Sequence, residues 1–201
     1  MVRNTHKVDL YETVQKVKLA LDSYYAKLCN RINLEWMRCV KEAGGMTSVH
    51  ALRQQNFYES QIRPIQKKVV VIISDALRYE VAQELIGVLA KRKHIAHLDF
   101  GIAMLPSETK FCKPTLLPHR ELRLYGEENG TQNMGVDNRI LDSTVKRTEQ
   151  VDSYRSGAIC VDYEVVGKYD QDKNREIFKH PLVYVMHNTI DDKSHGATAK
   201  K

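Results

Sequence analysis

The chain has 201 residues, 42% of them hydrophobic, enough to bury one sizeable core with a small appendage. No apolar run approaches the ~20 residues that a membrane span needs, and the start, MVRNTHKVDL, has no apolar signal region. Cys29, Cys39, Cys112 and Cys160 are scattered with no C-x-x-C pair, which suits a reduced, cytoplasmic setting better than a disulfide framework or a zinc knuckle. The net charge of +6 and pI near 9.1 permit a polyanionic partner. The basic residues are dispersed, however, so nucleic acid is only a secondary option.

Residues 8–66 read as helical. Val8, Leu10, Tyr11, Val14, Val17 and Leu21 recur at helical spacing, and Tyr24, Tyr25 and Leu28 prolong the stripe. A second stripe, Ile32, Leu34, Trp36, Met37 and Val40, stops at Gly44-Gly45. Thr47 or Ser48 begins a third, carrying Val49, Leu52, Phe57, Tyr58 and Ile62 and ended by Pro64. At this spacing the aromatic residues read as core, not as a base-stacking platform. Nothing in this leader carries catalytic chemistry.

The sequence is organised around KKVVVIISDALRYE, Lys67 to Glu80. Val69–Ile73 is a β-branched run that predicts a strand at about 68–74 buried on both faces. Helical spacing then takes over through Leu77, Val81, Leu85, Val88 and Leu89, giving a helix over about 78–91. Asp75 stands at the handover, and strand carboxyl ends are where open α/β sheets bind ligands. Its other reading is a cap on that helix. Ile95, Leu98, Phe100, Ile102 and Met104 alternate loosely, predicting a second strand of the sheet at about 97–104. Pro106 and Ser107 end it, and a helix begins near Glu108. A hydroxyl at such a corner meets free N–H groups and the positive end of a helix dipole, which suits a phosphoryl group. Ser107 and Thr109 compete for that role, each also a plausible cap.

Residues 119–153 are polar and turn-rich, predicting a surface excursion with a short hairpin or helix near 140–145. Gly126, Gly130 and Gly135 make no P-loop, because the lysine and following Ser or Thr are missing. Residues 158–166 read as an edge strand, 170–179 as a helix, and 181–186 as a third buried strand. HNTIDDKSHG follows, again placing ligand-type residues after an apolar run. Asp191 and His195 have the spacing to face one ion from one helical turn. Carboxylate with imidazole suits zinc, manganese or a related divalent ion, although the pattern alone is common. His187 is ambiguous in the same way, a strand-end His being more often a hydrogen-bonded structural residue than a ligand.

VIISDALRYEVAQEL, then AMLPSETK with LLPH, then VYVMHNTID, closely resemble the PglZ family of bacteriophage-exclusion (BREX) defence systems. QQNFYESQIRPI resembles the family's helical lead-in, so the likeness covers roughly residues 50–195. The resemblance implies an α/β fold of the alkaline phosphatase type, a sandwich with a mostly parallel sheet between helices. The domain would occupy residues 67–201, preceded by the helical region 1–66. It also implies a metal-dependent phosphatase or phosphodiesterase. By position, Asp75 is a ligand of one ion, Thr109 the nucleophile and a metal ligand, and Asp191 with His195 ligands of the other ion, zinc first and manganese or magnesium after it. Two ions ~4 Å apart can clamp a phosphoryl group and lower the pKa of an attacking hydroxyl.

Two departures qualify what is implied. The superfamily's later Asp-His pair and further His do not occur before GATAKK, and Lys110-Phe111-Cys112-Lys113 is bulkier than a tight catalytic corner. The expectation is an incomplete domain holding half a metal site, inactive alone and marginal or oligomeric through an unpaired sheet edge. The alternative is a non-catalytic interaction module in a defence complex, with other defence proteins as partners and a basic surface for nucleic acid.

Overall fold

The computed structural model describes residues 5–126 and 130–198, with side chains described from Leu10 to Ser194 within those ranges. The chain divides into two compact units, Met1–His50 and Ala51–Lys201.

The first unit is one helix, α1 (Thr5–Glu42), and a short 3₁₀ turn at Met46–Ser48. The two stripes read from the sequence merge, because no Pro or Gly falls between Leu28 and Ile32. The 38 residues extend about 57 Å at 1.5 Å each. The predicted stop at Gly44-Gly45 is there: both residues take positive φ (91° and 108°), and Gly45 N–H bonds back to the Val40 carbonyl at 2.8 Å. The apolar stripe is not core. Leu10, Val14, Val17, Leu21, Tyr24, Leu28 and Ile32 are all exposed, as are Tyr25 and Trp36.

The second unit begins with β1 (Leu52–Arg53), a 3₁₀ turn at Gln54–Asn56 and a π-helical turn at Tyr58–Ile62. Then come β2 (Val69–Ser74), α2 (Tyr79–Lys91), β3 (Gly101–Ile102) and α3 (Thr109–Cys112), which runs into a 3₁₀ turn at Lys113–Leu116. A hairpin region follows, β4 (Leu122–Gly126), β5 (Gln132–Val136) and β6 (Arg139–Ile140). The unit ends with α4 (Thr144–Tyr154), β7 (Ile159–Asp162), α5 (Tyr163–Val166), α6 (Gln171–Ile177), β8 (Leu182–His187) and α7 (Thr189–Thr198). It is a mixed α/β unit with parallel sheets.

The main sheet has the order β2-β8-β7, all parallel. Its middle strand, β8, buries Leu182 through Met186 on both faces, as its apolar run predicts. The same prediction fails for β2. It is an edge strand that buries Val71 but leaves Val70 and Ile72 open, because α2 buries none of its own residues. The strand predicted at 97–104 does not join this sheet. Only Gly101 and Ile102 pair, and they pair with β1 in a separate two-stranded ladder. Phe100 and Ile95 face solvent, so the alternation there marks no buried face. Gly101 suits that ladder, since a Cβ would stand 3.1 Å from the Leu52 carbonyl.

The polar stretch 119–153 is structured rather than a surface excursion alone. β5 and β6 join through Asp137-Asn138, both at positive φ (48° and 65°), the two-residue turn that fits the twist of a hairpin. α4 is capped by the Ser143 hydroxyl, which accepts from Lys146 N–H. It buries Gln150 and Val151 against the core. That core joins Tyr58, Ile62 and Val71 to Leu117, Val136, Leu141, Leu182, Tyr184 and Met186. No helix among the described residues is long and apolar enough to cross a membrane.

Candidate functional site

Because β2 and β8 are parallel neighbours in the register Ser74↔His187, their carboxyl ends deliver side chains to one place. The ladder runs one step further, with Asp75 N–H donating to the His187 carbonyl at 2.9 Å. Ser74 Oγ and His187 Nδ1 are 2.8 Å apart, and the His187 ring meets Tyr163 edge-on at 4.6 Å. His187 is thus held in place by Ser74 and Tyr163.

Asp75 does not cap α2. The helix starts at Tyr79 behind Arg78, with no side-chain cap. Asp75 Oδ1 instead accepts from the next N–H, Ala76, at 3.0 Å, and Ala76 sits in the left-handed region at φ 60°. This tight turn leaves Oδ2 facing Lys113 Nζ at 3.6 Å. Lys113 also donates to Asn188 Oδ1, just past the end of β8. The two charged side chains are only 16% and 22% exposed, for Lys113 and Asp75.

Lys113 and Thr109 are brought to the strand ends by α3 and the turn after it. Gln54 secures that segment: its Nε2 donates to the Cys112 carbonyl at 2.7 Å and its Oε1 accepts from Met104 N–H at 3.4 Å. The Cys112 thiol donates to the Met104 and Pro106 carbonyls, Thr115 Oγ1 donates to the Cys112 carbonyl, and Tyr184 OH to the Leu116 carbonyl. Burial pushes the Cys112 thiol up, the Met104 carbonyl contact opposing it. Thr109 is the first residue of α3 and is not its cap, and neither is Ser107, since Glu108 precedes the helix with no side-chain cap bond. With four residues, α3 has little dipole to offer an anion, contrary to the sequence expectation. The positive charge at this corner comes from Lys113.

A cleft of about 160 Å³ is lined by Gln54, Ser74, Asp75, Ser107, Thr109 and Lys113. It brings together three residues singled out in the sequence, Asp75, Ser107 and Thr109. Asp191 lies in the first turn of α7, half-buried, and is not among the cleft residues. His195 is on the same helix, but its side chain lies outside the described residues. Among the described residues no three His, Cys, Asp or Glu side chains are grouped to hold a metal ion. The oxygens of Asp75 and Thr109 are hard donors suited to a divalent cation. A two-ion centre needs more than this cleft supplies, and an ammonium already stands beside its carboxylate. Sequence reasoning overlooked Asn188 and read Lys113 only as bulk at the corner, a departure from a catalytic site and not a part of one. The four-residue spacing from Thr109 to Lys113, which puts both on one helical face, was the available signal for the lysine.

Residues 57–201 match the family model described as the BREX system PglZ alkaline phosphatase-like domain. The chain is 32% identical over 151 residues to the alkaline phosphatase-like protein PglZ of Bacillus cereus (strain H3081.97), covering 72% of this chain and 17% of that protein. It is 35% identical over 152 residues to the alkaline phosphatase-like protein BrxZ of Escherichia coli O9:H4 (strain HS), covering 69% of this chain and 16% of that protein. The chain therefore spans about one sixth of the length of these relatives. No solved structure matches it. With the family model covering 57–201 and both relatives aligned over most of the chain, the chain belongs to the PglZ family.

Proposed function

We propose that this chain carries the phosphoryl-binding part of an alkaline phosphatase-like hydrolase of a BREX phage-defence system. One observation carries the reading: the Thr109 and Ser107 hydroxyls and the Asp75 carboxylate line one cleft with the sequestered Lys113 ammonium. An ammonium with little solvent around it attracts a phosphoryl oxygen more strongly than an exposed one. Asp75 and Asn188 hold its position. Thr109 is the nucleophile in this reading, with Ser107 the alternative hydroxyl. In the whole protein, divalent ions, zinc before manganese or magnesium, would draw on Asp75 and Thr109, with Asp191 and His195 the donors from α7. The substrate is a phosphate ester, the setting cytoplasmic.

The test is titration of the purified chain with inorganic phosphate, alongside hydrolysis of p-nitrophenyl phosphate with and without chelator. Phosphate should bind, and Lys113→Ala should weaken it about tenfold, the loss of one charge-assisted contact of about 1.5 kcal/mol. Hydrolysis by the 201-residue chain alone should be absent. Phosphate binding indifferent to Lys113→Ala refutes the site, and chelator-sensitive turnover by this chain refutes the claim that its donors are incomplete.

A second reading, a non-catalytic module docking onto other defence proteins or nucleic acid, has its own support. The stripe of α1 is exposed, and so are Val81, Leu85 and Val88 of α2. Light scattering on a size-exclusion column tests it. A monomer that ignores partner proteins and nucleic acid counts against it.

A further inference from the structure

Thr109 and Lys113 stand in the wall between two clefts. On one side is the polar cleft of Asp75 and Ser107; on the other opens a cleft of about 230 Å³. Met134, Leu141 and Met186, each nearly fully buried, form the depth of this second cleft, and Ile140, half-buried, lies nearer its mouth. Lys110, Asn133, Asp142 and Arg147 line it too, Arg147 with its Nε tied to the Leu141 carbonyl at 3.1 Å.

We propose that this second cleft seats the leaving group of the phosphate ester, and that the leaving group is a single aromatic ring system. The inference rests on the phosphoryl-binding reading above. A substrate with its phosphorus at Thr109 and Lys113 has its ester oxygen directed to one cleft or the other. The cleft of Asp75, Ser74 and Ser107 is the more polar of the two and suits the phosphoryl oxygens, which leaves the other, with its apolar depth, for the organic group. Its volume is under the ~300 Å³ typical of the smallest drug-sized pockets, which matches one ring system in its depth. An aromatic ring set against Met134 and Met186 gives up no hydrogen bonds, and the two thioethers make favourable contacts with its edges. In the transfer, the Thr109 oxygen bonds to phosphorus as the bond from phosphorus to the aryl oxygen breaks. The hydroxyl's proton ends on the departing aryl oxygen, and water then releases phosphate from Thr109.

Calorimetric titration of the chain with inorganic phosphate, O-phosphoserine and phenyl phosphate tests this. Phenyl phosphate should bind about tenfold or more tightly than the other two, from burial of the ring. Ile140→Trp, which fills the cleft, should erase that preference and leave inorganic phosphate within about twofold. Ile140→Asn, with the fold checked by circular dichroism, serves the same purpose if the larger residue prevents folding. Equal binding of phenyl and inorganic phosphate, with Lys113→Ala still weakening the latter, overturns the aromatic seat and spares the phosphoryl site. A preference that survives both Ile140 substitutions also overturns it. Inorganic phosphate that does not bind, or binds regardless of Lys113, overturns the site and the seat together.

Discussion

Asp137 tests how the β5–β6 hairpin is held against α4. It sits at the hairpin turn between β5 and β6 and accepts four hydrogen bonds. Arg120 N–H and Glu121 N–H reach Oδ1 at 2.9 and 3.0 Å, and Gln150 Nε2 and Tyr154 OH reach Oδ2 at 2.9 and 2.6 Å. Burial raises the carboxyl pKa, but the Tyr154 hydroxyl, the two backbone donors and Gln150 outweigh it and bring it from 3.8 to about 2. At 1.36 kcal/mol per unit this corresponds to about 2.4 kcal/mol, which contact with solvent trims to about 1–2 kcal/mol. A depressed carboxyl stabilises the fold above the unfolded-state pKa, and the benefit is lost as pH falls from about 4 toward 2. Asp137→Asn keeps the size and tolerates the positive φ, and removes the charge. Urea midpoints read by circular dichroism should show the variant about 1–2 kcal/mol less stable at neutral pH, the gap shrinking by half or more toward pH 2. A gap that is absent at neutral pH, or unchanged at low pH, refutes the reasoning.

Three further outcomes follow from the same structure. Gln54→Ala should weaken phosphate binding several-fold through the loosened Thr109–Lys113 segment, with Lys113 itself intact; calorimetry at matched folded fraction checks this, and an unchanged affinity shows that Gln54 positions nothing. Tyr184→Phe leaves the Leu116 carbonyl without its donor and should cost about 1–2 kcal/mol in urea unfolding, since the hydroxyl is fully enclosed. A thiol reagent near pH 8 should modify exposed Cys39 promptly but Cys160 only on denaturation, because burial pushes Cys160 up to about 12; mass mapping of labelled peptides reads the order.

What could be read from the sequence was whatever depended on neighbours along the chain. The β-branched run at Val69–Ile73, the apolar run at Leu182–Met186, the helix after Asp75 and the Gly44-Gly45 stop each carry their cause locally. What depended on distant partners could not be read. Ile72 is as apolar as Val71, and only the sheet order decides that one is open and the other buried. The alternation at 95–104 resembles a half-buried strand, yet only two of its residues find a ladder. The polarity of 119–153 concealed a packed element, because Gln150 and Asp137 satisfy each other inside it. Lys113 acquires its meaning from Asn188, 75 residues later.

The ion pair of Lys113 with Asp75 also bears on whether the cleft is a site or only a well-packed corner. A salt bridge this sheltered gives the fold little, because removing two charges from water cancels most of their attraction. Apolar side chains of the same size would stabilise Asp75 and Lys113's positions at least as well. The corner is also strained by Ala76 at φ 60°, a conformation costing an alanine about 1–2 kcal/mol. Stability therefore does not explain the arrangement. On the reading proposed above, an anion entering between Thr109 and Lys113 would give the ammonium a second negative partner, while the tight turn at Ala76 fixes the Asp75 carboxylate on the other side of that ammonium. The register that sets Ser74 opposite His187 places both strand ends there, and a slip of one residue would turn these side chains to opposite faces.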